Sequence, residues 1–268
     1  MSKLLKADFF RLFKSKLFLT VSIIAVSLPI LTVLLSFGIN KGFIAITNST
    51  SSGGEPVPAF DVISGKFVIG GIYTLMSNCG LIIPIFAALI VGSDVSSGTL
   101  RNKVMTGSSH FKIYMSHLIV TTIMTVTLMT ICSGITTGLA FALIDYGTPL
   151  NGTEGMNLLY FYILGTVLFF LVSAMVVFFV MVTKHAVIAI ALNAVIGPTL
   201  GIICYGTALT DFSKFKYAVY AIPTFVSTYF TFGNITLEMF LIGLASLIVC
   251  TVLVTVFGII AFSKKDLK

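Results

Sequence analysis

The residues best suited to carry chemistry lie in one polar island, 92–117, between two long apolar runs. Its centre runs from Asp94 to Gly107 and is mostly basic, with one carboxylate followed by Arg101 and Lys103. A carboxylate among bases suits ion pairing or helix capping, since the dipole at a helix N-terminus favours negative charge. The island contains a single carboxylate and therefore no pair of acids for general acid–base chemistry.

The island predicts a short surface helix over 96–105. Leu100 and Val104 lie four residues apart and share one helical face, while basic and polar residues occupy the other faces. Gly98 and Gly107 bracket the segment, and Gly107 suits the position just past a helix end. The alternative is an ordinary solvated loop with a positive bias.

Other reactive residue types do not form recognised motifs. The chain has no Gly-x-x-x-x-Gly-Lys-Ser/Thr phosphate loop, no His-Glu-x-x-His and no Gly-x-Ser-x-Gly. Its three histidines are expected to be solvated loop residues, and its four cysteines, all within apolar runs, to be packed thiols. We therefore expect a non-catalytic chain with no metal and no cofactor of its own.

Composition identifies the environment of the chain. Of its 268 residues 57% are hydrophobic and only 9% are charged, against about 25% charged in soluble domains. Runs of about 20 apolar residues span a bilayer core. The sequence predicts one all-α integral membrane domain over 1–268 with six transmembrane helices, at about 17–39, 67–91, 118–144, 158–183, 186–208 and 237–262.

The first 16 residues mix basic and apolar side chains. Leu5, Phe9, Leu12 and Phe13 fall on one helical face, with most of the cations elsewhere. This pattern predicts an interfacial amphipathic helix that lies on the membrane with its cations toward anionic headgroups. The alternative is a basic flank that only sets orientation.

Charge predicts the topology. With six spans, twelve of the sixteen Lys and Arg residues fall on one side, which the positive-inside rule makes cytoplasmic. Both termini, a loop at 93–117 and the tight turn at Lys184-His185 then lie inside. The polar loop 40–66 and the segment 209–236 lie outside. A seventh span over 217–233 would move the C-terminal lysines outside, so an outer-leaflet hairpin is favoured there.

The island and the topology together resemble the permease subunit of ABC-2 type ATP-binding-cassette transporters, the class that includes bacteriocin and lantibiotic exporters. In that family a carboxylate precedes Gly-Thr-Leu/Ile-Arg/Lys, and a Gly follows. Here Asp94 precedes Gly98-Thr99-Leu100-Arg101, and Gly107 follows. Asp94 stands where Glu is commoner, His110 near a usual Arg, and His117 where Lys often opens the third span.

The resemblance implies that loop 93–117 holds a coupling helix that docks on a separate ATPase. The residues that it assigns to this contact are Asp94, Gly98, Thr99, Leu100, Arg101, Lys103, Val104 and Gly107. Lys184-His185 would be a second, smaller contact. Two ATPase copies, which bind ATP and Mg, would serve two permeases, identical or paralogous, in a bacterial plasma membrane.

The expected function is therefore ATP-driven export of a hydrophobic or amphipathic compound, such as a peptide, an antibiotic or a lipid-like molecule. The alternative is a secondary transporter or channel that uses no ATP. The predicted span interiors contain no Asp, Glu, Lys or Arg, which proton-coupled and many ion-coupled carriers need at depth. Besides these proteins the expected partner is the lipid bilayer, and not nucleic acid.

The hairpin prediction can be tested by labelling. In a variant without native cysteines, single cysteines in place of Ser213 and Asn234 should both react with an impermeant thiol reagent added outside. Both flank the segment that we predict does not cross the membrane. Labelling of the two positions from opposite sides would instead show a seventh span.

Overall fold

The computed structural model describes residues 2–50, 63–76, 82–144, 151–196, 199, 220, 230 and 234–264. Within these ranges the regular structure is helical throughout, with no strand. The helices are α1 Ser2–Lys14, α2 Lys16–Thr50, α3 Gly65–Met76, α4 Ile82–Ser96, α5 Thr99–Met105, α6 His110–Leu143, α7 Gly152–Thr183, α8 Ala186–Ile196 and α9 Leu237–Ser263.

Among the described residues, four segments are long and apolar enough to cross a membrane: Phe18–Gly42 within α2, and the helices α6, α7 and α9. The pair α4 and α5, bent by 56° at their junction, makes a fifth if it is counted as one span. These helices confirm the predicted all-α class and are those of a membrane protein. Of predicted span 67–91 the structure describes α3 as far as Met76 and α4 from Ile82, and span 186–208 is described only as far as Ile196.

Two predicted loop boundaries are wrong. Helix α2 continues to Thr50, through the first part of the loop predicted at 40–66. Most of the island is also helical, because α4 reaches Ser96 and α6 begins at His110. Polar residues continue a helix where tertiary contacts satisfy them, and hydropathy alone does not register this. Most of the predicted hairpin, 209–236, lies outside the described residues.

Helix α6 is the central element, because it contacts α1 to α5, α7 and α9. Its packing includes a polar contact with α7, where the buried hydroxyls of Thr125 and Ser173 lie 2.7 Å apart. Each hydroxyl also lies within hydrogen-bond distance of a carbonyl of its own helix, Ser173 of Phe169 at 2.7 Å and Thr125 of Thr122 at 3.0 Å, and either can donate across the contact. Such hydroxyl contacts can join helices in an environment without water.

At Pro29 another helix replaces a backbone hydrogen bond that α2 cannot form. Proline has no N–H, so the carbonyl four residues earlier loses its usual donor. That carbonyl belongs to Ala25, and the buried thiol of Cys132 on α6 lies 2.9 Å from it and donates. Cys132 is thus a packed thiol, as predicted, and Cys250 is also free. Cys79 and Cys204 lie outside the described residues.

The end of the bundle at which α3 and α7 begin is fastened by buried polar contacts. Lys66 donates to Glu154 at 3.3 Å and to Asn234 at 3.2 Å, joining α3, α7 and the residues before α9. Asn40 on α2 donates to the Ile63 carbonyl at 2.8 Å and accepts from its N–H at 3.0 Å. These contacts fix the entry to α3.

The turn at Lys184 is confirmed as tight. Lys184 ends α7 in the left-handed conformation, with φ 62° and its N–H on the Val180 carbonyl at 2.8 Å. Helix α8 then begins at Ala186, directly against α4. A Cβ at Gly92 would lie 2.5 Å from the Ala186 Cβ, so the glycine permits this close approach.

Gly258 on α9 is a second close approach and gives a stability prediction. A Cβ there would lie 2.6 Å from Cζ of Tyr114, which is fully buried on α6. Gly258→Ala should cost about 1–3 kcal/mol by overpacking, measured as a lower melting temperature in detergent. Gly134→Ala is the control, because its Cβ meets nothing within 4 Å. It should be neutral or stabilising, since alanine is the better helix former.

A second substitution separates overpacking from other causes. The Tyr114 hydroxyl is buried without a hydrogen-bond partner among the described residues. Tyr114→Phe removes this unsatisfied group and the atom nearest to the new Cβ, so it should recover most of the loss in Gly258→Ala. Additive effects of the two substitutions would contradict the proposed contact.

Candidate functional site: a charge cluster that holds the short helix

Side chains from four helices meet at the end of the bundle where α1 and α5 lie. We call the charge cluster the set Asp8 and Arg11 of α1, Asp94 of α4, Lys103 of α5, and His117 of α6. Asp8 and His117 are 7% and 4% exposed, so the centre of the cluster is buried. Charges at this depth persist only when they are paired and hydrogen-bonded.

Arg11 crosses from α1 to the junction of α4 and α5. Its Nη1 lies 2.7 Å from Asp94 Oδ1 and 2.8 Å from Thr99 Oγ1. Its Nη2 donates to Ser97 Oγ at 3.2 Å. The guanidinium carries several donors in a fixed plane, so one side chain sets the position of the whole turn. Asp94 therefore pairs with a nearby base, as the sequence predicted, and the base is Arg11.

Lys103 makes the second contact between helices, from α5 to α1. Its Nζ donates to Asp8 Oδ1 at 2.5 Å, and the other oxygen of Asp8 accepts from Ser116 Oγ at 2.7 Å. One carboxylate of α1 therefore holds both α5 and α6. The side chains of Lys103 and Asp8 are 12% and 6% exposed, so solvent screens this pair weakly.

His117 completes the cluster from α6. Its Nε2 lies 3.2 Å from Lys103 Nζ, and an ammonium can only donate, so Nε2 accepts. The ring proton then belongs on Nδ1, which faces Asp94 Oδ2 at 3.7 Å. With this neutral tautomer the two carboxylates balance the two cations, which reduces the cost of burial.

Helix α5 is bounded by two glycines in left-handed conformations. Gly98 has φ 69° at the bend after α4, and Gly107 has φ 84° just after α5. Gly107 N–H donates to the Val104 carbonyl at 2.9 Å, and Ser108 N–H to the Lys103 carbonyl at 3.2 Å. This is a Schellman pattern, and Gly107 lies just past the helix end as predicted. The helix starts at Thr99 and not at Ser96 as predicted.

The apolar stripe of α5 faces the chain itself. Leu100 is 4% exposed and belongs to the core, and Val104 packs against that core while partly buried. Leu100 is therefore not a surface anchor. The outward face of α5 consists of Arg101 and Asn102, which are exposed, and Met105, which is 74% exposed.

The eight predicted site residues divide into four groups. Asp94 and Lys103 belong to the charge cluster, and Thr99 accepts a hydrogen bond from Arg11 of that cluster. Gly98 and Gly107 shape the ends of α5, Leu100 and Val104 pack inward, and Arg101 is exposed. Sequence reasoning missed Asp8, Arg11, Ser116 and His117, and its expectation that His117 is solvated is wrong. A signal was present for α1: Asp8 is the one acid of a basic segment, and it shares a helical face with Arg11 three residues later.

The cluster has the chemistry of a structural joint. A cavity of about 60 Å³ lies beside it, lined in part by Asp8, Arg11, Asp94 and His117, and is large and polar enough to hold water. Within the part of the chain that the structure describes, no group of three His, Cys, Asp or Glu residues is placed to hold a metal ion. The arrangement fixes α5 relative to α1, α4 and α6.

In comparisons with known proteins, no family model and no curated protein sequence matches this chain.

The buried Asp8–Lys103 pair provides the most direct test of whether the charge cluster holds α1 and α5 together. Asp8→Asn leaves the Lys103 ammonium buried without its carboxylate, which should cost about 3–5 kcal/mol. We expect a lower melting temperature in detergent and faster protease cleavage within α1. The control is Lys112→Gln, which alters an exposed side chain of α6 and should be within about 0.5 kcal/mol of the parent.

A charge reversal distinguishes pairing from a general effect of the substitution. Asp8→Lys combined with Lys103→Asp restores one cation and one anion at the same two positions. The double variant should be more stable than Asp8→Lys alone. If it is less stable, direct pairing of these two side chains is not what holds α1.

Proposed function

We propose that this chain is the permease subunit of an ABC-2 type ATP-binding-cassette transporter that exports a hydrophobic or amphipathic compound. A separate subunit would hydrolyse ATP, and two permeases would pair with two such ATPases. The observation that carries the proposal is helix α5, a short surface helix held by the charge cluster and presenting Arg101, Asn102 and Met105 outward. Because the chain has no phosphate loop, driven transport requires another chain.

Contacts of α5 with α1, α4 and α6 would transmit a displacement of α5 to the long apolar helices. It is bent 56° from α4, so a force on its outer face acts across the axis of that helix. The Lys103–Asp8 pair connects α5 to α1, and the contacts with Ser116 and His117 connect it to α6. Ion pairs with fixed geometry make these helices move together, so a displacement of α5 would reach the central helix.

In this proposal the outward face of α5 takes the place of Leu100 and Val104, which the resemblance assigned to the ATPase contact. Leu100 fills the core of this chain, so Leu100→Asp would disturb the fold itself. An exposed methionine beside an arginine suits a docking surface, because both residue types are enriched in interfaces. We therefore assign the ATPase contact to Met105 and Arg101, and assign Leu100 and Val104 to positioning of α5.

The proposed orientation places α5 in the cytoplasm with both termini. The described basic residues near this end include those of α1 together with Lys103 and Lys112, and the positive-inside bias favours the cytoplasm for them. An ATPase there has access to ATP. The first check is genetic: a neighbouring open reading frame that encodes a phosphate-loop ATPase supports the proposal, and its absence favours the ATP-independent alternative.

The docking test uses the chain co-expressed with that ATPase. Met105→Asp combined with Arg101→Glu should leave a folded, inserted protein and weaken ATPase retention in a pull-down by about thirtyfold or more, as for one interface hot spot. Transport into inverted vesicles and cargo-stimulated ATP hydrolysis should fall with it. Retention and transport at the parental level would refute docking on α5.

A control variant makes the same change of charge on a neighbouring helix. Phe111 is 52% exposed and Lys112 is exposed, both in the first turn of α6. Phe111→Asp combined with Lys112→Glu should retain the ATPase. If both double variants lose it equally, docking depends on the general charge of this end and not on α5.

A further inference from the structure

An apolar cleft of about 310 Å³ lies between α1, α2 and α6. Its walls include Phe9, Leu12 and Phe13 of α1, Phe18 and Ser22 of α2, and Met124 of α6. The lining is almost entirely hydrocarbon, so water in the cleft would lack the polar partners that it needs. If the cleft were empty, the atoms of its walls would lack van der Waals contacts on one side. An apolar occupant is favoured because it restores these contacts.

The position of the cleft points to a lipid chain. It lies at the joint between α1 and α2, where the apolar segment Phe18–Gly42 begins. Phe13, which lines the cleft, and Phe10, three residues earlier on α1, are 65% and 62% exposed, which is expected of side chains at the headgroup and acyl boundary. A bilayer lipid is the apolar molecule at high concentration at this depth.

Two cations that lie in the chain next to cleft-lining residues favour an anionic headgroup: Lys14 follows Phe13, and Lys16 precedes Phe18 by two residues. Lys14 ends α1 and Lys16 begins α2, and both side chains are exposed. The Lys14 ammonium lies 4.7 Å from the centroid of the Phe10 ring. Asp8, the one acid of α1, is already held by Lys103. No described carboxylate lies within ion-pair distance of Lys14 or Lys16. An anionic phosphate would complement them.

We propose that this cleft is a binding site for an anionic glycerophospholipid, with one acyl chain between α1, α2 and α6 and the phosphate at Lys14 and Lys16. Leu12 lines both the cleft and the cavity beside the charge cluster, so the lipid would brace α1 from one side while Asp8 and Arg11 hold it from the other. The bound lipid then helps to set the position of α5. This inference rests on the membrane character of the chain and not on the proposed transport.

The absence of tryptophan from the sequence gives a clean probe. Phe18→Trp places the chain's one indole in the cleft. The full-length protein is reconstituted into phosphatidylcholine nanodiscs that contain a fixed minor fraction of lipid with brominated acyl chains, either phosphatidylglycerol or phosphatidylcholine. Brominated chains quench indole fluorescence on contact, so the ratio of the two quenching efficiencies reports headgroup preference at that site.

The expected result in the Phe18→Trp variant is a preference of about fivefold or more for brominated phosphatidylglycerol, since each lysine near the surface favours anionic lipid by about fivefold. The control is Leu241→Trp, at an exposed position of α9 toward the other end of the bundle, where the ratio should be near one. Equal ratios in the two variants would overturn the proposal and indicate bulk lipid only.

Further substitutions in the Phe18→Trp background test the two parts of the site. Lys14→Gln with Lys16→Gln should reduce the quenching ratio to the control value, whereas Lys41→Gln with Lys112→Gln should leave it unchanged. Ser22→Phe fills the cleft and should reduce quenching by both lipids. A preference that survives loss of Lys14 and Lys16 would also overturn the proposal. If Phe18→Trp does not reconstitute, Phe13→Trp provides a second probe of the same cleft.

Discussion

The cost of burying charge governs the organisation of this molecule. A carboxylate or an ammonium removed from water loses several kcal/mol of solvation, and only a partner with good geometry offsets that loss. The side chains of Asp8 and Lys103 are only 6% and 12% exposed to solvent, and Asp8 Oδ1 lies 2.5 Å from Lys103 Nζ. Their pairing requires α1, α5 and α6 to meet at one point. The bend after α4, the left-handed glycines and the outward face of α5 all take their positions from this meeting.

The same constraint acts at the other end of the bundle. Lys66 and Glu154 are each 7% exposed and are joined at 3.3 Å, which fixes the start of α3 to the start of α7. Central helix α6 lies between these two polar joints, and along its length apolar packing is combined with hydroxyl and thiol contacts. A bundle fastened at both ends and packed along its length transmits displacement along its helices. The proposed coupling role of α5 depends on this stiffness.

Helix α1 shows how one amphipathic segment serves two environments. Its face with Asp8 and Arg11 turns toward the charge cluster, and its face with Phe9 and Phe13 borders an apolar cleft. The pattern in the sequence separated cations from apolar residues and so predicted an interfacial helix. It gave no separate role to Leu12, which is 5% exposed and belongs to the core of the bundle. Attachment of α1 to the bundle and its proposed contact with lipid therefore involve the same short helix.

The sequence by itself determined the helical class, the membrane character and the glycine end of α5, because apolar run length, composition and Gly107 are local properties. Hydropathy placed the loops too widely, since the polar residues of 40–50 and 110–117 lie in helices. Only the tertiary structure paired Asp8 with Lys103 and Arg11 with Asp94. These partners lie far apart in the chain, and a local pattern contains no information about which distant charge compensates a buried one. For the same reason only the fold showed that Leu100 faces inward and Met105 outward.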